Sequence, residues 1–427
     1  MTRFAAMIAA LIAVPAAAQS AGGVKAQNDG GVPLSEDGRS RLHLGLDTGA
    51  GFDTNPYTTP LATDRFAGDV TARIRPFFDI KAPGSLLSFS GKGELDYGFL
   101  PGLIDVETRN FLLYQSNVSA DLEVNRGGMF SFAVGDTLSW HSDPGVVVIG
   151  SLLTRLNNQL RTGIGWTPGG GTLQLRLGYL FGFLKYVDFE NRGGIIDQGE
   201  LDTVSHNLQL RADYRFLPKT GVFLTLNGSF QNYPFTATQG FALPLSVNLG
   251  IKGNFLPKVA GSASLGYSNP MSFDPAGALS SADVFGLVGQ VELQWAPSPM
   301  TGVSGGFQRS FDPIALYQYI GNSRIYGGFT QTLFGRFSLS ATAGYSILEF
   351  GAEQSSEDLT DTVVGRLDGH LDAALNASYF FFDWLSVGIS NTTNWRITNA
   401  SDISSAGVPT SLNYARNETL VLASLRY

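Results

Sequence analysis

Apolar and polar residues alternate along most of this chain. From Thr203 the even positions are Val204, His206, Leu208, Leu210, Ala212, Tyr214 and Phe216, and the odd ones are Ser205, Asn207, Gln209, Arg211, Asp213 and Arg215. Period two places successive side chains on opposite faces, so the stretch reads as a strand with one apolar and one polar face. After Pro218 and Lys219 the pattern resumes, with Val222, Leu224, Leu226 and Phe230 against Thr225, Asn227, Ser229 and Gln231. Two such arms joined by a short turn form a hairpin.

The same alternation recurs from Arg41 to Tyr427. Val70, Ala72 and Ile74 oppose Thr71, Arg73 and Arg75; Leu95 and Tyr97 oppose Lys92, Glu94 and Asp96; Val118, Ala120 and Leu122 oppose Asn117, Ser119, Asp121 and Glu123. Further on, Leu160 and Ile164 oppose Arg161, Leu175 and Leu177 oppose Gln174 and Arg176, Val291 and Leu293 oppose Gln290, Glu292 and Gln294, and Leu367 and Leu371 oppose Arg366, Asp368, His370 and Asp372. Eighteen strands are predicted in all (sixteen as the alternative), joined by connections that alternate between short, Pro- and Gly-bearing turns and longer loops. That asymmetry is characteristic of transmembrane barrels. A repeat of about 40 residues per hairpin also suits a propeller blade, but a propeller has no need of outward rows of Leu, Tyr and Phe. The predicted fold is an all-β, up-and-down antiparallel transmembrane barrel, and a barrel of this size encloses an aqueous lumen unless plugged.

Aromatic residues gather at the strand ends. Phe77, Phe78, Trp166, Phe216, Phe255, Trp295, Phe334, Phe380, Phe381, Phe382 and Trp384 flank the short turns, and Trp140, Tyr186, Tyr233, Phe311 and Trp395 lie toward the loops. Two such rings are expected where a barrel meets the two membrane interfaces.

Composition narrows the reading further. Charged residues make up only 15% of the chain while Gly numbers 52, as expected for many turns and little ordinary soluble surface. The net charge of −8 argues against nucleic acid as a partner, and the lack of Cys excludes disulfides, thiolate metal sites and cysteine nucleophiles. At the N-terminus Arg3, the apolar run Phe4–Val14 and the small residues through Ala18 have the order of a secretory signal peptide over 1–18. Residues 19–40 then read as a flexible periplasmic segment and 41–427 as the barrel. Beyond the N-terminus no stretch is apolar enough for a membrane-spanning helix, which leaves the closed barrel as the way to satisfy every backbone group in lipid.

Two stretches carry resemblances. The chain ends Val421, Ala423, Leu425, Tyr427, alternate apolar positions before a terminal aromatic. This resembles the C-terminal assembly signature of Gram-negative outer-membrane proteins, although Leu420 and Leu422 make the opposite face apolar as well. The resemblance implies an outer-membrane location and the barrel-assembly machinery as a partner. Gly45–Tyr57, a Gly-rich strand running into Asp53-Thr54-Asn55-Pro56, is similar to the opening of β-barrel porins associated with exopolysaccharide export. That implies transport and periplasmic polysaccharide-export components as partners.

Candidate chemistry is sparse. Asp53-Thr54-Asn55-Pro56 offers oxygen ligands for a cation or sugar, but the same residues make a local Asx-type turn. His141-Ser142-Asp143 has the residue types of a catalytic triad without the spacing of one. His370 between Asp368 and Asp372 has no further ligands in view. No cofactor, metal or catalytic group is expected. The functional surface is the inward row: Arg73, Arg75, Lys92, Arg161, Arg176, Arg211, Arg215 and Arg366 balance Glu94, Asp96, Asp121, Glu123, Asp213, Glu292, Asp368 and Asp372, with His370 among them. So balanced a wall is expected to conduct with weak ion selectivity, many of its charges bracing neighbouring strands. The leading expectation is an outer-membrane channel, with exopolysaccharide as the candidate cargo; an outer-membrane hydrolase and a structural or adhesive barrel are the alternatives.

Overall fold

A computed structural model describes residues 31–35, 38–55, 68–99, 111–144, 152–187, 189–191, 194–196, 199–235, 240–273, 286–314, 317–351, 366–399, 401–403, 409–411 and 413–427. The proposed signal peptide and the first part of the segment after it lie outside these residues, as does Pro56.

Eighteen long strands form the wall. They are β1 Arg41–Asp53, β2 Asp69–Ala82, β3 Leu87–Phe99, β4 Phe111–Val124, β5 Phe130–Pro144 and β6 Leu152–Trp166. Next come β7 Leu173–Val187, β8 Thr203–Leu217, β9 Thr220–Asn232, β10 Leu245–Leu256, β11 Val259–Asn269 and β12 Leu287–Ser298. The last six are β13 Thr301–Ile314, β14 Tyr317–Leu333, β15 Phe337–Phe350, β16 Leu367–Phe382, β17 Leu385–Thr398 and β18 Tyr414–Arg426. Each pairs antiparallel with its neighbours in sequence, and β1 pairs with β18 from Gly45 opposite Arg426 to Asp53 opposite Glu418. The sheet is therefore a closed 18-strand barrel with no free edge. Short strand pairs sit outside the wall at 189–196 and 401–411.

The strands reach further into the short turns than the alternation suggests. β12 continues to Ser298 and pairs with Thr301, past a register shift after Trp295, and similar shifts end the β8–β9, β10–β11 and β16–β17 hairpins. A bulge lets backbone pairing continue after strict alternation stops. The β14–β15 turn carries Phe334 at φ 54° and Gly335 at φ 67°, the left-handed backbone that a tight hairpin requires.

Opposite faces of the wall differ as the alternation requires. Leu208, Leu210, Leu224, Leu226, Val247, Leu249, Val291 and Leu293 are all exposed on the outside. Phe78, Trp166, Phe216, Phe255, Trp295, Phe334, Phe381, Phe382 and Trp384 are exposed around the short-turn end. Four aromatics expected in the girdles take the inward parity. Phe77 shares the parity of Arg75 and lies under the Arg426 guanidinium, 6.0 Å from its ring centre. Phe380 shares the parity of Asp368 and Asp372. Tyr186 and Tyr233 share the inward parity of Arg176 and Asn227 and are buried. Position near a strand end was the wrong criterion for these four, because face is set by parity.

Candidate functional site

The inner wall divides into a charged arc and a neutral arc. Along the charged arc a series of ion pairs runs over β14 to β3, crossing the closure. Arg324 reaches Asp372 at 2.7 Å. Arg366 donates to Asp368 at 2.9 Å, and Arg396 donates to the same carboxylate. Arg416 holds Asp53 at 2.6 Å. Arg73 pairs with Glu418 and with Asp96 at 3.1 Å, and Arg75 joins Asp96 at 2.9 Å. Asp96 meets both arginines because the β2–β3 register, running from Arg73 opposite Gly98 to Phe77 opposite Glu94, sets it level with Arg75. Farther round, Arg161 pairs with Asp121 at 3.0 Å, and Asp213 takes Arg211 at 3.0 Å and Lys252 at 2.5 Å.

Every residue expected on the inward row occupies the face opposite the exposed apolar rows. Beyond the pairs above, Gln115 donates to Glu94 at 3.3 Å, Arg126 bonds Glu123 at 3.2 Å, Arg176 donates to Gln174 at 3.1 Å, and Gln294 donates to Glu292 at 2.8 Å. Lys92 and Arg215 are exposed on that face, and His370 is half-buried among the pairs of β16. Sequence reasoning did not single out Arg324, Arg396, Arg416, Lys252, Asp53 or Glu418 as part of this wall. Parity marks all six as inward once the strand they belong to is known.

The neutral arc is a row of uncharged groups that crosses β8 to β12 on the loop side of Arg211, Asp213 and Lys252. Gln209 donates to Asn227 Oδ1 at 2.9 Å, and Asn227 Nδ2 donates to Ser246 Oγ at 2.9 Å. The three residues stand opposite one another in register, so the bonds form a horizontal row around the wall. Asn248, Ser262, Ser264 and Gln290 continue this surface, and the space beside it, about 1020 Å³, is also lined by Arg176, Arg211, Asp213, Lys252 and Glu292.

Above this space the end of the barrel away from the short turns is roofed. Tyr186 of β7, Leu201, Tyr233, Ala242, Tyr317 and Ile320 of β14, and Leu348 and Phe350 of β15 form one buried apolar cluster, with Leu184 and Ile314 packed on it. The cluster joins strands seven places apart in the wall, so the interior on that side is filled with side chains. The short strands Phe241–Ala242 and Ser272–Phe273 carry the wall on beyond β10 and β11, and Ala242 of the first joins the cluster. Arg366 ties it to the charged arc: its guanidinium stacks 4.2 Å from the Phe350 ring centre and donates to Tyr317 Oη at 3.1 Å. Nothing in the local sequence marks the roof beyond inward parity at apolar positions.

The other candidates resolve as structural features. Asn55 N–H donates to Asp53 Oδ1 at 3.0 Å, the Asx-type turn. Thr54 Oγ1 accepts from Asn417 N–H at 2.8 Å and Asn55 Nδ2 donates to Ala415 O at 3.1 Å, so the segment latches the first strand to the last. His141 and Ser142 are consecutive residues of β5, their side chains leave on opposite faces, and Ser142 Oγ bonds Thr154 Oγ1 at 3.0 Å. His206 faces outward in an aromatic group and bonds Tyr179 Oη at 2.8 Å. Among the described residues no group of three His, Asp or Glu side chains is placed to hold a metal.

A closed barrel with an apolar exterior, aromatic belts and a polar interior is the build of a transmembrane β-barrel transport protein. The chain belongs to the family described as putative beta-barrel porin 2, whose model matches residues 117–413. No curated protein matches the chain. Among solved structures it is similar to the FrpB iron transporter of Neisseria meningitidis (F5-1 variant), at 10% identity over 90% of this chain and 82% of that one, with a TM-score of 0.48. It is also similar to the siderophore receptor PirA of Acinetobacter baumannii, at 9% identity over 91% and 80% of the two chains, with a TM-score of 0.48. Iron and siderophore transport are properties of those proteins.

Proposed function

We propose that this barrel is an outer-membrane channel for a hydroxyl-rich solute and serves as the exit conduit for an extracellular polysaccharide. The observation that carries the reading is the neutral arc, where the row Gln209, Asn227 and Ser246 presents amide and hydroxyl groups at one level beside a space of about 1020 Å³. Such groups exchange hydrogen bonds with water and sugar hydroxyls alike and hold neither strongly, which suits passage rather than capture. The pairing of charges along the other arc supports weak ion selectivity. The similarity of Gly45–Tyr57 to exopolysaccharide-associated porins favours a polysaccharide as cargo, with periplasmic export components delivering it. Insertion would use the barrel-assembly machinery acting on β18 and Tyr427, whose N–H and C=O both bond Leu44 in the wall.

The test is single-channel recording of the barrel in a planar bilayer, with soluble polysaccharide fragments added to one side. The expected result is a weakly ion-selective conductance that the fragments interrupt. A barrel that never conducts would sink the channel, and conductance indifferent to every saccharide would sink the cargo.

A further inference from the structure

The outward rows of the barrel are apolar except at a few places, and the largest exception lies beside the closure. On β17 the outward residues run Val387, Ile389, Asn391, Thr393, Trp395, and on β18 Asn417 and Thr419 stand opposite Thr393 and Asn391. Asn391 Nδ2 donates to Asn417 Oδ1 at 3.0 Å and to Thr419 Oγ1 at 2.7 Å. Asn417 Nδ2 donates back to Asn391 Oδ1 at 3.3 Å and to Thr393 Oγ1 at 2.7 Å. The four side chains make one neutral network on the outer face. Six residues separate Asn391 from Leu385 at the short-turn end. At a rise of about 3.3 Å per residue and a tilt of about 40° this sets the network ~15 Å above the turn, inside an apolar band about 25 Å tall. Val387 and Ile389 below it and Trp395 above it are exposed apolar residues, as expected within that band.

We propose that this face of β17, β18 and β1 is the contact surface for a second copy of the chain, related by a twofold axis. Lipid tails offer no hydrogen bonds, so polar groups facing them are retained at a cost that a protein partner removes. The network is uncharged, and although its amide protons are spent internally it keeps one free donor, the Thr393 hydroxyl, and a spare lone pair on Asn391 Oδ1, so across a twofold axis Thr393 of each copy can donate to Asn391 of the other. Thr393 Oγ1, already an acceptor, keeps its proton to donate. Phe52, Val421, Ile389 and Trp395 border the network as exposed apolar side chains, and Ala415 and Ala423 on β18 with Thr48 and Ala50 on β1 are small residues among them where two walls can approach.

Other outward polar groups stand elsewhere on the wall: the ion pair Arg309–Glu349 on β13 and β15, and Asp136 with Asn158, 3.0 Å apart on β5 and β6. The neutral network brings no charge to break the first, and the second lies six strands away, a third of the way around the 18-strand wall. Repeating a contact between sites 120° apart closes a ring only at about six copies.

The chain has no cysteine, so single substitutions report cleanly. Ala415→Cys, Ala423→Cys and, on the far side of the barrel, Leu249→Cys are each reconstituted in lipid and oxidised. A disulfide-linked dimer is expected at Ala415 or Ala423 and none at Leu249. The wild-type protein should have twice the chain mass in mild detergent, and Asn391→Val with Asn417→Val should return it to one chain mass while its circular dichroism stays that of a barrel. If the double variant fails to fold, the cross-linking on the intact network still decides. A monomeric wild type, equal cross-linking at all three positions, or cross-linking only between Leu138→Cys and Ala423→Cys in mixed samples would overturn the proposal, the last in favour of a head-to-tail contact.

Discussion

Placing the same charge at two consecutive positions tests the assignment of faces. Leu210 is 44% exposed on the outside of β8, between Leu177 and Leu226 in register; Gln209, one residue earlier, faces the interior and bonds Asn227. Leu210 lies seven residues from Leu217 at the short-turn end, which sets it ~18 Å above the turn and within the apolar band. Leu210→Arg puts a guanidinium into lipid and should cost about 2–4 kcal/mol. Gln209→Arg puts the same group into water, where it can still donate to Asn227 Oδ1. Repulsion from Arg211 on the same face is screened, so the cost should stay below about 1 kcal/mol. The difference of at least about 1–3 kcal/mol corresponds to roughly 5- to 150-fold in the folding equilibrium. The assay is urea titration of both variants folded in lipid vesicles, followed by tryptophan fluorescence. Equal costs within about 0.5 kcal/mol, or a larger cost for Gln209→Arg, would refute the assignment of lipid and lumen faces.

Three further outcomes follow from the inner wall. Asp368→Ala leaves the buried guanidiniums of Arg366 and Arg396 without their shared carboxylate and should lower stability by about 3–5 kcal/mol, read as a shifted urea midpoint; removing exposed Arg126, paired with Glu123, should change it by less than about 0.5 kcal/mol. Ile320→Ala, at 1% exposure in the roof, should cost about 2–5 kcal/mol and raise single-channel conductance; unchanged conductance would show that the roof does not lie on the path. Arg211→Ser leaves Asp213 bonded to Lys252 and should cost under about 1.5 kcal/mol, while the reversal potential in a salt gradient moves toward cation preference; no movement would place Arg211 off the ion path.

Much of this protein was legible before any coordinates. Alternation at period two is a local property, since each side chain's face follows from its neighbour's. That is why the strand count and the split between Leu208 or Leu210 and Gln209 or Arg211 could be read from residue order. Where local reading failed, another cue had been placed above parity: Tyr186 and Tyr233 were taken for interfacial aromatics because they stand near strand ends, and they turned inward.

The sequence by itself determined which residues share a face, where the chain turns, and that strands with an apolar outer face meet lipid only when they close on one another and satisfy every backbone group. The tertiary structure alone decided which residues meet. Asp53 finds Arg416 because the first strand pairs with the last, and Asp96 finds Arg73 and Arg75 because the β2–β3 register sets it level with Arg75. The roof assembles from strands seven places apart, and the amide network outside β17 and β18 exists only because the pairing sets Asn391 opposite Thr419 and Asn417 opposite Thr393. Register and closure are long-range choices, made by all the strands together, and no window of the sequence contains them.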